Sequence, residues 1–149
     1  MLRLVRDGEP RARDEVAPEG LCSATSLRLP FSASSVWAAR QQLKGWLADH
    51  DVSRESIDDA RVIVSELVAN SVRHARPLAD GSILVSWTRK VDGVLVSVTD
   101  GGSGTRPRPL RAPSSAVAGR GMAIVDMLAE EWWTECTRTR CTVHALLPA

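Results

Sequence analysis

Glu66-Leu67-Val68-Ala69-Asn70-Ser71-Val72-Arg73-His74 closes a long amphipathic stretch that begins at Ser53. Ile57, Ala60, Val64, Leu67 and Ser71 recur at helical spacing, which predicts a helix with one apolar face, ended by Pro77. Glu66, Asn70 and His74 lie four apart and share a stripe beside that face. Taken alone, a Glu and an Asn so placed are ordinary surface residues. They are also oxygen donors one turn apart, of the kind hydrated Mg²⁺ accepts between protein and phosphate.

Outward from this helix the pattern stays legible. Upstream, Ser26-Leu27-Arg28-Leu29 alternates as a half-buried strand and Pro30 stops it. Ser34 or Ser35 is the expected cap of a helix carrying Val36, Trp37, Ala39, Arg40, Leu43, Trp46 and Leu47. Downstream, Ser82 to Lys90 and Val94 to Thr99 alternate around Val91-Asp92-Gly93 and read as a hairpin. Asp100 to about Ala118 is too polar and broken for an element. A third helix opens at Gly119 or Arg120 and runs through Ala129. Trp132 to Thr137 and Cys141 to Leu147 form a last hairpin around Arg138-Thr139. Strands gathered into hairpins, with helices between, predict an α+β two-layer sandwich: a mixed, largely antiparallel sheet with helices packed on one face.

The totals narrow the classes. A chain of 149 residues, 44% hydrophobic, has one-domain length and enough apolar material for a core. Residues 1–20 mix charge, Pro and Gly and read as a flexible tail, leaving 21–149 as the domain. With 19 basic against 18 acidic residues, no field suggests direct nucleic-acid binding. No apolar run approaches a membrane span, no signal-peptide core stands near the start, and three cysteines make no dense framework. A cytoplasmic protein with half-buried core cysteines is the expectation.

Two further segments bear on chemistry. Asp100-Gly101-Gly102-Ser103-Gly104 follows a strand, offering a carboxylate acceptor and backbone that a ring or phosphate can approach closely. It is no Walker A loop, because no Gly-Lys-Ser/Thr follows. Gly119-Arg120-Gly121-Met122 opens a helix whose free N–H groups and dipole suit phosphate, with Arg106, Arg108 and Arg111 nearby in sequence.

In this order the three segments resemble the ATP site shared by gyrase, the ninety-kilodalton heat-shock chaperone, histidine kinases and the mismatch-repair ATPase. Within that superfamily the chain most resembles the single-domain anti-sigma-factor serine kinases, from about Leu27 to Leu147. The resemblance implies the histidine-kinase-like ATPase fold, ATP and Mg²⁺ as cofactors, and a possible homodimer. It implies that Asp100 accepts from the adenine amino group, Asn70 coordinates Mg²⁺, and Glu66 is general base toward a partner's serine. Gly102 and Gly104 would let backbone approach the nucleotide. Thr105 to Ala118 would be the lid, and Gly119, Arg120, Gly121 and Met122 would cap the phosphates. Thr142 would support the adenine pocket, although Cys141 stands where the family often has glycine. The lid carries Pro107, Pro109 and Pro113. The implied partners are a sigma factor, held inactive, and an anti-anti-sigma protein phosphorylated on serine. The face of the first helix around Trp37, Arg40 and Lys44 is the candidate contact. A catalytically silent ATP-binding adaptor is the alternative.

Cys136, Cys141 and His144 supply only three ligands, and strand alternation sends Cys141 and His144 to opposite faces, so they are not read as a zinc site. A histidine kinase would need a phosphoacceptor on a preceding dimerisation helix, which neither His50 nor His74 supplies. Trp132-Trp133 reads as hairpin packing.

Overall fold

A computed structural model describes residues 23–103 and 120–149. The elements run β1 (Ser23–Pro30), α1 (Ser34–Ala48), α2 (Arg54–His74), β2 (Ser82–Lys90), β3 (Gly93–Asp100), α3 (Arg120–Leu128), β4 (Glu131–Cys136) and β5 (Cys141–Leu147). The tail at 1–20, Gly104, Gly119 and the Thr105–Ala118 stretch lie outside the described residues.

The strands form one sheet in the order β1-β2-β3-β5-β4, and all four pairings are antiparallel. The α+β layering is as expected, with every described pairing antiparallel. Both hairpins close where the turn chemistry places them, with Lys90 opposite Gly93 and Cys136 opposite Cys141.

Register gives the two faces different work. Val85, Val98 and Val143 stand in one row, and Trp87, Val96, Ala145 and Trp132 in the next. This face packs under the helices. Ala39, Leu43 and Leu47 come down from α1, and Ala60, Ile63, Val64, Leu67 and Val68 from α2, into one core cluster. The indole N–H of Trp132 donates to Asp126 at 2.8 Å, which satisfies its polar atom at the core's edge. The opposite face carries Ser86, Ser97, His144 and Trp133 in a row. There Ser97 Oγ and His144 Nδ1 lie 2.7 Å apart, His144 Nε2 is 3.1 Å from Glu135, and Trp133 stacks on the imidazole. Burial holds that imidazole below its ordinary pKa, against the opposing pull of Glu135.

Two local expectations change. Ser53 caps α2 by accepting from the Ser56 N–H at 3.1 Å, as its position predicts. Neither Ser34 nor Ser35 caps α1; the cap position is Ala33, which makes no side-chain cap bond. Ser35 is buried and donates its hydroxyl to the Pro30 carbonyl, anchoring the helix start to the strand end. The cysteines also differ from their reading as separate core residues. Cys136 and Cys141 face each other directly across β4 and β5 and are joined as a disulfide.

Leu43 is fully buried, whereas Trp37 on the same helix is 63% exposed. Leu43→Ala should therefore cost ~2–5 kcal/mol in urea unfolding. Trp37→Ala should stay within ~0.5 kcal/mol. A large loss at Trp37 would show that its side chain belongs to the core.

Candidate functional site

The chemistry-bearing residues come from the middle of α2, the end of β3 and the start of α3. Helix α2 lies over β3, and α3 packs beside α2. Ser71, one residue past Asn70, is the link. It sits at a core position, and its hydroxyl donates to Asp100 Oδ2 at 2.5 Å. The other carboxylate oxygen accepts the Gly102 N–H at 2.8 Å. Asp100 is only 6% exposed, and burial raises its pKa against the two hydrogen bonds, which favour the charged form.

The loop after Asp100 is laced to the end of α2. Gly101 N–H donates to the Arg76 carbonyl at 2.8 Å, and Arg76 N–H donates to the Gly102 carbonyl at 2.9 Å. A Cβ on Gly101 would run into the Pro77 carbonyl oxygen. Gly102 adopts φ +90°, where an L side chain is strained. Both glycines are therefore demanded by the backbone here, independently of any ligand. Gly101 was given no role by the sequence, since nothing local announces which segment packs against it.

Glu66 and Asn70 lie half-buried on the expected stripe of α2, one turn apart. Glu66 lines a cleft of about 430 Å³ with Arg40, Asp58, Arg61, Val62 and Ser65. The cleft runs between α1 and α2, so Arg40 and Glu66 border the same space. Both Glu66 and Asn70 offer hard oxygen atoms, and this donor set fits magnesium better than zinc.

Arg120 and Gly121 form the first turn of α3. The side chain of Met122 is buried in the core cluster, so only its backbone is left to meet a ligand. Thr142 is placed differently from expectation. Its hydroxyl pairs with Thr99 Oγ1 at 2.8 Å across β3 and β5. Residues Thr99 and Asp100 alternate, so Thr142 stands on the sheet face away from Asp100. The residue registered opposite Asp100 is Cys141. Sequence reasoning missed Ser71 and Cys141 as neighbours of Asp100. A polar residue on an otherwise apolar helix face was the one signal available for Ser71.

Comparison with known proteins identifies the family and the fold. The chain matches the histidine kinase-like ATPase domain over residues 29–144. It is 29% identical over 118 residues to the serine-protein kinase RsbW of Listeria monocytogenes serovar 1/2a, covering 71% of this chain and 75% of that one. The RsbW of Listeria innocua serovar 6a is equally similar, at 29% over 118 residues. Among solved structures, the RsbU and RsbW domains of Rv1364c from Mycobacterium tuberculosis superpose with a TM-score of 0.66 at 23% identity, over 85% of this chain. The chain spans about a third of that larger structure (32%), and the likeness is one of fold.

The buried carboxylate makes a pH prediction. A raised folded-state pKa means that the native protein binds this proton before the unfolded chain does, so stability rises as pH falls through that pKa. Wild type should thus gain stability relative to Asp100→Asn as pH falls from neutral toward the ordinary carboxylate range. Urea unfolding of both proteins across that range measures it. A constant difference would mean that the carboxylate is not desolvated.

Proposed function

From the premise that this chain belongs to the histidine kinase-like ATPase domain family, we propose that it is an ATP-dependent anti-sigma-factor serine kinase. The observation that carries the reading is the buried Asp100 carboxylate, fixed by Ser71 and Gly102 beside the helix that bears Glu66 and Asn70. A desolvated acceptor held rigidly by its neighbours is suited to reading one exocyclic amino group, because an unmatched partner leaves it unpaired. Adenine offers that donor; guanine offers a carbonyl at the same edge.

Asn70 would hold Mg²⁺, which when bound neutralises charge on the phosphate oxygens. Glu66, one turn away and lining the cleft, would accept the proton of a partner's serine hydroxyl. As that oxygen bonds to the γ-phosphorus, the bond to the β,γ-bridging oxygen breaks and ADP leaves with the electron pair. The backbone N–H groups at the start of α3, with Gly121 and Arg120, would cap the phosphates. Gly104, Gly119 and the 105–118 stretch complete this reading as glycine approach, cap and lid.

The partners are proposed on the same footing: a sigma factor held by contact, and an anti-anti-sigma protein that supplies the serine. Two features support a protein substrate over a small one. The cleft beside Glu66 is wide and mixed in charge, with Arg40 and Arg61 against Asp58. Trp37 and Val62 stand exposed on the two helices that border it. No described helix is long and apolar enough to cross a membrane.

Glu66→Gln separates the kinase from a silent adaptor. The variant should bind Mg-ATP with unchanged affinity in titration calorimetry, yet lose at least about a hundredfold in phosphoryl transfer to the partner, the lower range for a general base. Undiminished transfer would remove Glu66 from the reaction. Asp100→Asn should weaken ATP while leaving the already poor GTP binding alone; equal weakening of both would sink the adenine assignment.

A further inference from the structure

Cys136 and Cys141 are opposed on the sheet face that carries Asp100, and the pair has no part in the function proposed above. Two observations tie it to the pocket, and a third puts it within reach of reagents. Cys141 is the register partner of Asp100 across β3 and β5. A Cβ built on Gly102 would meet Cys141 Sγ at 4.0 Å, so the sulfur borders the glycine loop. Both cysteines are half-buried, and hence within reach of small thiols.

The bond is not what keeps the hairpin closed. Thr137 N–H donates to the Arg140 carbonyl at 2.7 Å, and the Thr137 hydroxyl oxygen accepts from Arg140 N–H at 3.2 Å. Strand β5 is also zipped to β3 along its whole length. A loop this short has less closure entropy to remove than a long one, so the disulfide adds less to folding than a long-range bond would. Its effect is local, on the wall beside Asp100.

We propose that Cys136 and Cys141 form a reversible thiol–disulfide site through which the redox state of the cell sets nucleotide affinity. The inference rests on the ATP-binding reading above. Closing the bond takes two electrons and two protons from the two thiols and delivers them to a low-molecular-weight disulfide, which leaves as two thiols. Opening is the reverse, with small thiols as the reductant. In the oxidised form Cys141 is tethered toward Cys136 and offers no donor. In the reduced form its thiol is free to turn beside Asp100 and supplies a weak S–H donor to the acceptor-rich pocket wall. The reduced protein is therefore the tighter binder.

The test uses the full chain with Cys22→Ser, so that only this pair can react. After treatment with oxidised glutathione, alkylation and mass measurement should find both thiols blocked; after dithiothreitol, both should be free. Calorimetry should then give a Mg-ATP Kd about threefold or more lower in the reduced sample. The further substitutions Cys136→Ser and Cys141→Ser should abolish the difference between treatments. A Kd unmoved by redox state, a tighter oxidised form, or a pair that stays reduced would overturn the inference. Folded protein that binds no Mg-ATP in either state would overturn the nucleotide reading, and the inference with it.

Discussion

A buried carboxylate with two donors governs this end of the molecule. Asp100 stands at the last position of a central strand, and removing a charge from water there is costly unless its oxygens are matched. Ser71 supplies one hydrogen bond from α2 and Gly102 the other from the following loop. Those two bonds tie helix, strand and loop to a single point. The Arg76 backbone then closes the loop onto the end of the helix. The residues proposed to hold magnesium and adenine hang from this junction: Asn70 is the residue before Ser71, and the glycine loop follows Asp100 directly.

Most of the fold was legible because the apolar periods are long and uninterrupted. The α2 stripe and the two alternating hairpins needed only spacing and turn chemistry. The start of α1 was not legible. A run of serines before a helix offers several capping hydroxyls, and Ser35 instead serves the Pro30 carbonyl, a contact set by how α1 meets β1. The disulfide was hidden for a related reason. Two cysteines flanking a turn become partners only when strand register places them opposite each other, and composition had argued for separate thiols.

The candidate site divides along the same line. Residues whose role follows from position on one helix, Glu66 and Asn70, lie where spacing puts them. Residues whose role needs pairing across strands do not. Thr142 follows the expected spot by one residue, and one residue in a strand is a change of face, which gives that spot to Cys141. Ser71 looked like a tolerated polar residue among apolar ones, and only the third dimension reveals its partner. Gly101 likewise answers to a backbone distant in sequence from its own.

The strand order leaves β1 and β4 on the two margins of the sheet among the described residues. Unpaired margins are templates onto which other chains can add a strand. Here β1 ends in Pro30, which lacks an N–H, and carries Arg28 in an ion pair with Asp80 at 2.9 Å. On the other margin β4 is only six residues long, with Glu131 and Glu135 along it. Proline, charge and brevity are all poor invitations to a stray strand. A protein whose proposed work is to hold and release other proteins through its helices thus carries a sheet built to avoid cross-β self-association.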